Sequence, residues 1–504
     1  MVTLRLRSAV DHDIAVVGAG PAGAATAAYL ARAGLDVVLI DQKRFPRDKV
    51  CGDFVGPVAL RELRNLGVTG REDYRRSNKI REAALYLDGR RLIVRDIPHV
   101  AGLPAYGRVV PRERLDAWIL GAARDAGARV LEEHRLEQIE DDGDGLRLRL
   151  RLRCAAGADA AVSTLSARAV VGADGSNSQT ARILRGANLE KRSRIIAVRA
   201  YYEQVAGPPE RADLYFSGSS FPGYYWLFPT ARGHANVGVG MVLATVPPTR
   251  EHLRTLLLGL VASDAALRAR LAPAALQGRV VGWPLSTYDH RQPIVADRML
   301  LVGDAAGLIN PLNGEGIQYA LLSARWSAQT LVQAFAHADL SRRALAPYEH
   351  EVRTQLRYDM ALSQMIVGLI RNRTLNAVWL RMLRILIARA KTDPEFAEIA
   401  GGILAGLLPA SDAISRRMVL GTLEQAALSL GVDAAVTVVR ERRNLPGLGV
   451  APLRLGFQVA YDTLANPTQM LGWAGSLPPA AVELAGQAAR DTLRAGAHRS
   501  RSIM

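Results

Sequence analysis

The sequence predicts an α/β chain, α+β overall. A Rossmann-type dinucleotide domain is interrupted by a mixed β-sheet domain and followed by an extended helical C-terminal region. Three observations carry this. A glycine-rich turn at 18–23 sits between two short apolar runs. Two more glycine-and-aspartate turns, near 174 and 304, each follow a strand-like apolar run. Elsewhere the pattern changes: β-branched and aromatic runs fill 195–243, and Ala-, Leu- and Arg-rich helical sequence begins near 346.

The first element is DIAVVGAGPAGAATAAYLARAGLDVVLIDQ. Ile14 to Val17 reads as a buried strand, Ala24 to Arg32 as a helix closed by Gly34, and Val37 to Ile40 as a second strand ending in Asp41. Gly18 permits a tight turn, Gly20 lets backbone approach a pyrophosphate, and Gly23 lets helix and strand pack closely. The helix N-terminus faces the phosphate charge. Asp41 is spaced to bind ribose hydroxyls. This turn alone does not separate FAD from NAD(P).

The second element, RAVVGADGSNSQTARIL, ends a strand at Val170 and Val171 and continues through Gly172, Asp174, Gly175, Ser178 and Arg182. The third, RMLLVGDAAGLINPLNGEGIQYALLSA, has a strand from Met299 to Val302, then Gly303 and Asp304, and a helix beginning near Gly316. An Asp at a strand end can accept from a ribityl hydroxyl, and glycines before a helix bring N–H groups to a flavin.

Together these segments resemble the flavoprotein group built like p-hydroxybenzoate hydroxylase, whose glutathione-reductase-type FAD domain is interrupted by a substrate domain. The resemblance implies FAD. Gly18, Gly20, Gly23 and Asp41 would bind its ADP half, with Pro21, Ala22 and Gln42 beside them. Asp174 would touch both the FAD and NAD(P)H regions. Asp304, after Gly303, would hold the ribityl chain, and Pro311 to Ile317, with Gly314 and Gly316, would face the isoalloxazine.

Aromatic hydroxylases of this group usually read GDAAH, where this chain has Gly307. GDAAGLINPLNGEGI, FPRDKVCGDFVGPVALREL, RVVPRERLDAWIL and GYYWLFPTARGHANVGVG instead resemble the geranylgeranyl reductase family, over roughly residues 11 to 340. In the last segment, Tyr224, Trp226, Phe228 and Pro229 fit a YxWxFP pattern. Arg112 and Asp116 match a helix that touches FAD. Members mostly reduce isolated carbon–carbon double bonds of prenyl chains, while related branches hydroxylate, epoxidise or halogenate. A monooxygenase or epoxidase acting on a hydrophobic natural product or quinone therefore stays open as the alternative. Halogenases carry WxWxIP here, and Tyr224 and Phe228 depart from it.

The resemblance puts Cys51 and Gly52 near the flavin, lining a substrate channel. Cys51 reads either as a proton donor or as a small buried residue beside the cofactor. The segment with Tyr224 and Trp226 reads either as the wall of an apolar tunnel or as core. Cys51, Tyr224 and Trp226 are the catalytic candidates. One glycine turn leaves no second Rossmann domain, so NAD(P)H would visit transiently or a ferredoxin-type donor would supply electrons.

The implied layout is an FAD domain at 11–80, 106–186 and 290–345, a substrate domain at 81–105 and 187–289, and a helical region at 346–504. A chain of 504 residues is long enough for several cores. An apolar fraction of 49% and a charged fraction of 22% fit a chain folded throughout. Two cysteines exclude a disulfide framework and make a reducing, cytoplasmic compartment the default. Cys154 ends LRLRLRLRC, an alternating strand with its Arg face in water, so a bridge to Cys51 is not expected. The N-terminus has no apolar run before a cleavage site, and no stretch reaches the roughly 18 to 20 apolar residues of a spanning helix. The nine His show no metal spacing.

The net charge of +16 is carried almost wholly by Arg. It reads either as genomic composition or as the mark of an anionic partner, such as the inner face of a membrane met peripherally. No familiar module or aromatic-interleaved basic run points to nucleic acid. RNRTLNAVWLRMLRILIARAK sorts Arg373, Arg381, Arg384 and Lys391 to one side of a helical wheel, and Leu375, Trp379, Met382, Leu383 and Leu386 to another. Such a helix either lies on an anionic membrane or packs on the protein. GGILAGLLPA, at 401–410, reads as a hydrophobic lid or as core.

Overall fold

Five strands run parallel in the order Arg129–Leu131, Val37–Ile40, His12–Val17, Val162–Gly172 and Met299–Leu301. The computed structural model describes residues 10–152, 161–186, 194–218, 220–242, 251–372, 375–404 and 406–408, with single residues at 421, 424 and 475. The central parallel pairings are short and largely apolar because helices and an antiparallel layer cover both faces. Val37–Ile40, for example, is buried throughout. Register fixes what happens at their ends. Val17 pairs with Ile40 and with Gly172, and Gly172 pairs with Leu301. The strands therefore stop level, and Gly18, Asp41, Ala173–Asp174 and Gly303–Asp304 emerge along one edge. This is the carboxyl edge, where open α/β sheets bind ligands.

The helix Pro21–Arg32 lies against the sheet and against helices Arg112–Asp125 and Ile317–Ala336. Its buried residues are mostly small, with Ala22, Ala24, Ala25, Ala27 and Ala28 beside Gly23, which lets three helices approach closely. Val162–Gly172 also pairs antiparallel with Leu146–Leu152, which pairs with His134–Asp141. In Leu146–Leu152 the leucines at 146, 148 and 150 are buried and the intervening arginines exposed, as the alternation predicts.

A second sheet runs in the order Ala275–Ser286, Arg194–Glu203, His234–Val242, Tyr224–Ala231, Arg211–Phe216, Glu82–Leu87 and Arg90–Asp96. It is antiparallel except where Arg211–Phe216 meets Glu82–Leu87. One face carries Tyr215, Tyr225, Leu227, Val237 and Val239, packed with Leu253, Leu257, Leu260 and Leu267 from helices Glu251–Ser263 and Ala265–Leu271. Period-two alternation sends Tyr224, Trp226 and Phe228 to the opposite face. A small sheet of Phe54–Val55, Gly107–Val109 and Asn78–Ile80 runs from the Cys51 segment toward the second sheet, where Phe54 meets Phe228.

The boundary expected at 345/346 falls inside one helix, Arg342–Ile370. Leu345, Tyr348, Val352, Leu356 and Met360 recur every three or four residues and are buried in the same core as the parallel sheet. That stripe carries the helix through the expected boundary. Beyond it lie helices Asn376–Thr392 and Pro394–Leu404. The first packs on the protein. Arg95 Nη2 donates to Ala390 O at 2.8 Å, Arg384 pairs with Asp88 at 3.4 Å, and Ile385 and Ile387 are buried. Met382, expected on the apolar side, is exposed, so the wheel does not predict which side is covered. Arg373, Cys154 and most of 409–504 lie outside the described residues. No described helix is long and apolar enough to cross a membrane.

Candidate active site

The first glycine turn is built by close contact. Gly18 sits at φ +103°, and a Cβ there would stand 2.3 Å from Ala173 O. A Cβ at Gly23 would stand 1.8 Å from Gly18 O. At Gly20 the nearest atom would be the Arg47 guanidinium at 3.6 Å, so that side is open. Pro21 opens the helix, where its missing N–H costs nothing, and Ala22 is buried behind it. Asp41 is buried. Its carboxylate accepts from Ala19 N at 2.7 Å and from Lys43 N at 2.8 Å, bracing the turn from both ends. Gln42 is exposed beside it.

The other two aspartates differ from each other. Asp174 accepts from the Ser178 hydroxyl and from Gln179 N and Thr180 N at 2.7 and 3.1 Å, so it caps the helix Gln179–Arg185. Burial pushes its carboxyl up against those donors. Asp304 accepts from Lys49 Nζ at 3.0 Å and from Ser176 Oγ at 3.4 Å. Burial pushes it up, but Lys49 and Arg112 outweigh this and hold it below the usual carboxylate range. Arg112 grips Asp116 with two bonds, at 2.7 and 2.8 Å, and Arg47 adds a third at 2.9 Å. Arg47 and Lys49 were missed by the sequence reading. Their only signal was that they flank the singled-out cysteine.

These residues fit a dinucleotide. Gly20 and the following helix N-terminus leave an uncrowded approach, and Arg47 supplies a cation beside it. The segment from Pro311 runs through Gly314, where a Cβ would meet nothing within 4 Å, and past Gly316 to the helix at Ile317. Glu315 within it is pushed up to about 8 by burial.

The loop carrying Cys51 and Gly52 lies on the aromatic face of the second sheet. A Cβ at Gly52 would stand 3.4 Å from the Phe228 ring and 3.6 Å from Trp226. Tyr224, Trp226 and Phe228 follow each other at ring separations of 6.0 Å, and Phe228 meets Phe54 at 5.7 Å. Gly238 makes room for Trp226: a Cβ there would come within 2.2 Å of the indole. The alternating Val-Gly pattern of that strand is thus the counterpart of the aromatic one. The Tyr224 hydroxyl donates to Asn313 O at 2.5 Å, tying the wall to the 310–316 loop. Cys51, Tyr224 and Trp226 are therefore brought together with that loop.

Burial pushes the Cys51 thiol up, and Arg112 opposes this. The Cys51 carbonyl accepts from Asn236 Nδ2 at 2.7 Å, and Asn236 Oδ1 accepts from Trp226 Nε1 at 2.9 Å. Asn236, Asp53 and Tyr201 belong to this cluster and were not singled out from sequence. Asp53 lies inside FPRDKVCGDFVGPVALREL, and Asn236 is the one amide in the strand His234–Val242.

Residues 11–357 match the family described as FAD binding domain. Over 338 residues the chain is 34% identical to a menaquinone reductase of Mycolicibacterium smegmatis, covering 63% of this chain and 76% of that one. Over 330 residues it is 34% identical to a geranylgeranyl diphosphate reductase of Rhodobacter capsulatus, covering 64% and 75%. A solved flavin-dependent brominase shares the fold, with a TM-score of 0.64 at 18% identity over 84% of this chain and 99% of that one. The glycine turns on one sheet edge and the matched relatives lead to the same place: this chain belongs to the FAD-binding-domain family, as an FAD-dependent oxidoreductase of the geranylgeranyl reductase type.

Proposed function

We propose that the enzyme reduces carbon–carbon double bonds of a prenyl chain or other hydrophobic substrate held against the Tyr224–Trp226–Phe228 face. In this reading the parallel-sheet unit holds FAD, and the second sheet, from 81–105 and 187–289, holds the substrate. Bound FAD, once reduced, supplies the hydride. NAD(P)H or a ferredoxin-type donor supplies the electrons.

The chain's own residues divide the remaining work. The aromatic face offers apolar area and excludes water from the reacting carbons. Trp226 spends its N–H on Asn236 and so presents its ring. Tyr224 spends its hydroxyl on Asn313 O, and burial with Glu315 and Cys51 nearby pushes its ionisation further up. It positions the loop and is a poor proton donor. Cys51 keeps its S–H, because burial pushes the thiol up. It is the acid that delivers a proton to the second alkene carbon. The single observation that carries the reading is the Cys51–Gly52 loop lying directly on the aromatic face.

The +16 charge supports peripheral contact with an anionic membrane surface, where such a substrate would be met. The fold shared with a brominase supports a second reading, oxygen-dependent chemistry on a hydrophobic natural product or quinone. Extraction of the purified holoenzyme and mass spectrometry of its ligand separates the two. A polyprenyl lipid or polyprenyl quinone is expected, and an oxygenated or halogenated aromatic product would overturn the reductase reading.

A further inference from the structure

Asp53 lies beside Cys51 and takes no part in the hydride and proton transfers proposed above. Its backbone is left-handed, φ +64°, and its side chain is fully buried. One carboxylate oxygen accepts from the Tyr201 hydroxyl at 2.6 Å and from Asn236 Nδ2 at 2.8 Å. The other, also buried, has no donor among the described residues. An under-satisfied buried carboxylate costs stability, so packing alone does not account for an acid here. Its connections are specific. The Asn236 amide that holds Asp53 also holds the Cys51 carbonyl, and the Asp53 N–H donates to Cys51 Sγ at 3.4 Å. On the other side, Asn236 ties the same carboxylate to Trp226.

We propose that Asp53 is the positioning residue of the proton-donating step: clamped by Tyr201 and Asn236, it fixes the Cys51 thiol against the Trp226 face, and its carboxylate sets how readily that thiol releases its proton. This rests on the reductase reading. The step breaks the Cys51 S–H bond, forms a C–H bond on the alkene carbon and leaves the electron pair on sulfur. Water returns the proton between turnovers, and reduced FAD supplies the hydride.

The charges facing the pair come from several elements. Arg112, from the helix Arg112–Asp125, and Lys49, from the Cys51 loop, favour a thiolate, whereas Asp53 opposes it. Arg199 and Tyr201, from the strand Arg194–Glu203, face Asp53. Arg199 is spent on Asp48 at 2.5 and 2.6 Å, and it lies 4.3 Å over the Tyr201 ring. Tyr224 faces Cys51 from the wall. Burial pushes Asp53 up to about 6 against the pull of Tyr201, Asn236, Arg199 and Arg112, so its carboxylate is charged at neutral pH and discharged in mild acid.

The test uses the FAD-loaded full chain carrying Cys154→Ser, which leaves Cys51 as the single thiol. Iodoacetamide alkylation is followed against pH in this parent, in Asp53→Asn and in Tyr201→Phe. Removing the negative charge should lower the midpoint of the Asp53→Asn profile by about one pH unit, making alkylation at pH 7 about tenfold faster. Tyr201→Phe should shift it the opposite way and by less, because the Asp53 carboxylate, still charged where the thiol titrates, loses a donor that disperses its charge. Unchanged midpoints would overturn the proposal. Where Asp53→Asn fails to fold or to retain FAD, the Tyr201→Phe profile decides alone. Anoxic turnover of the parent is measured separately. Its failure would overturn the reductase reading and leave the alkylation result standing.

Discussion

Alanine at Gly20 and alanine at Gly23 should separate cofactor binding from packing, although the two positions lie three residues apart. Gly20 has φ −70° and ψ −176°, which any L-residue adopts. Its added Cβ would meet nothing nearer than the flexible end of Arg47 at 3.6 Å. In the flavin-free protein Gly20→Ala should therefore be neutral or stabilising, by about 0.4–1 kcal/mol, because the unfolded chain loses freedom. The same methyl stands where backbone must approach a pyrophosphate. FAD affinity should fall at least about tenfold, or about 1.4 kcal/mol. Gly23→Ala would place its Cβ 1.8 Å from Gly18 O and 2.9 Å from the Ala173 Cβ. Backbone must move there, so about 1–3 kcal/mol or more of folding stability should be lost, with FAD binding lost as a consequence. Thermal unfolding of the flavin-free variants gives the first quantity, and quenching of flavin fluorescence on titration gives the second. The reasoning is refuted if Gly20→Ala binds FAD as the parent does, or destabilises the flavin-free protein as much as Gly23→Ala.

Three further outcomes are expected. Cys51→Ser should retain FAD with an unchanged spectrum but lose about 10²-fold or more in turnover, read in single-turnover reoxidation of the reduced enzyme, because a hydroxyl is a far weaker acid than a thiol. Asp213 is fully buried and accepts from Arg211 Nε at 2.7 Å, from Arg270 and from the Tyr215 hydroxyl at 3.2 Å. Asp213→Ala strands two guanidinium groups and should cost about 3–5 kcal/mol in denaturant titrations. Glu315 is pushed from 4.5 up to about 8, so the folded state holds a proton that the unfolded chain has released. Across that window the folded state binds more protons, and its contribution to stability falls as pH rises from about 4.5 to about 8. The melting temperature of the flavin-free Glu315→Gln variant should therefore gain on the parent progressively through that range, and parallel curves would contradict it.

Local pattern made much of this molecule legible. Apolar runs before Gly18, Gly172 and Gly303 mark strand ends because a buried parallel strand is apolar on both faces. Parallel register then brings the three turns to one edge. Alternation in Leu146–Leu152 and Tyr224–Ala231 identifies two-faced strands. For the second it does not say which face is core, since Tyr225 and Trp226 are both large and aromatic, and the covering helices decide it. The contacts that join distant segments were out of reach. Lys49 meets Asp304 across 255 positions and Asn236 meets Asp53 across 183, and nothing in local periodicity encodes such pairs. Asp174 shows the converse limit. Its carboxylate accepts from the Ser178 hydroxyl and from the first two N–H groups of the helix Gln179–Arg185, partners that the motif does not announce. The boundary expected at 345/346 follows a change of composition, whereas the apolar stripe of the helix Arg342–Ile370 stays with the first core.

The Cys51 loop and the aromatic face are proposed to hold a double bond for reduction by bound FAD. The most direct test is anoxic turnover of a polyprenyl alkene by chemically reduced holoenzyme, with the product weighed by mass spectrometry. The account predicts a product heavier by two hydrogens and carrying no added oxygen, formed in step with flavin reoxidation. A reduced enzyme that stays reduced until air is admitted, and then yields an oxygenated product, would contradict it.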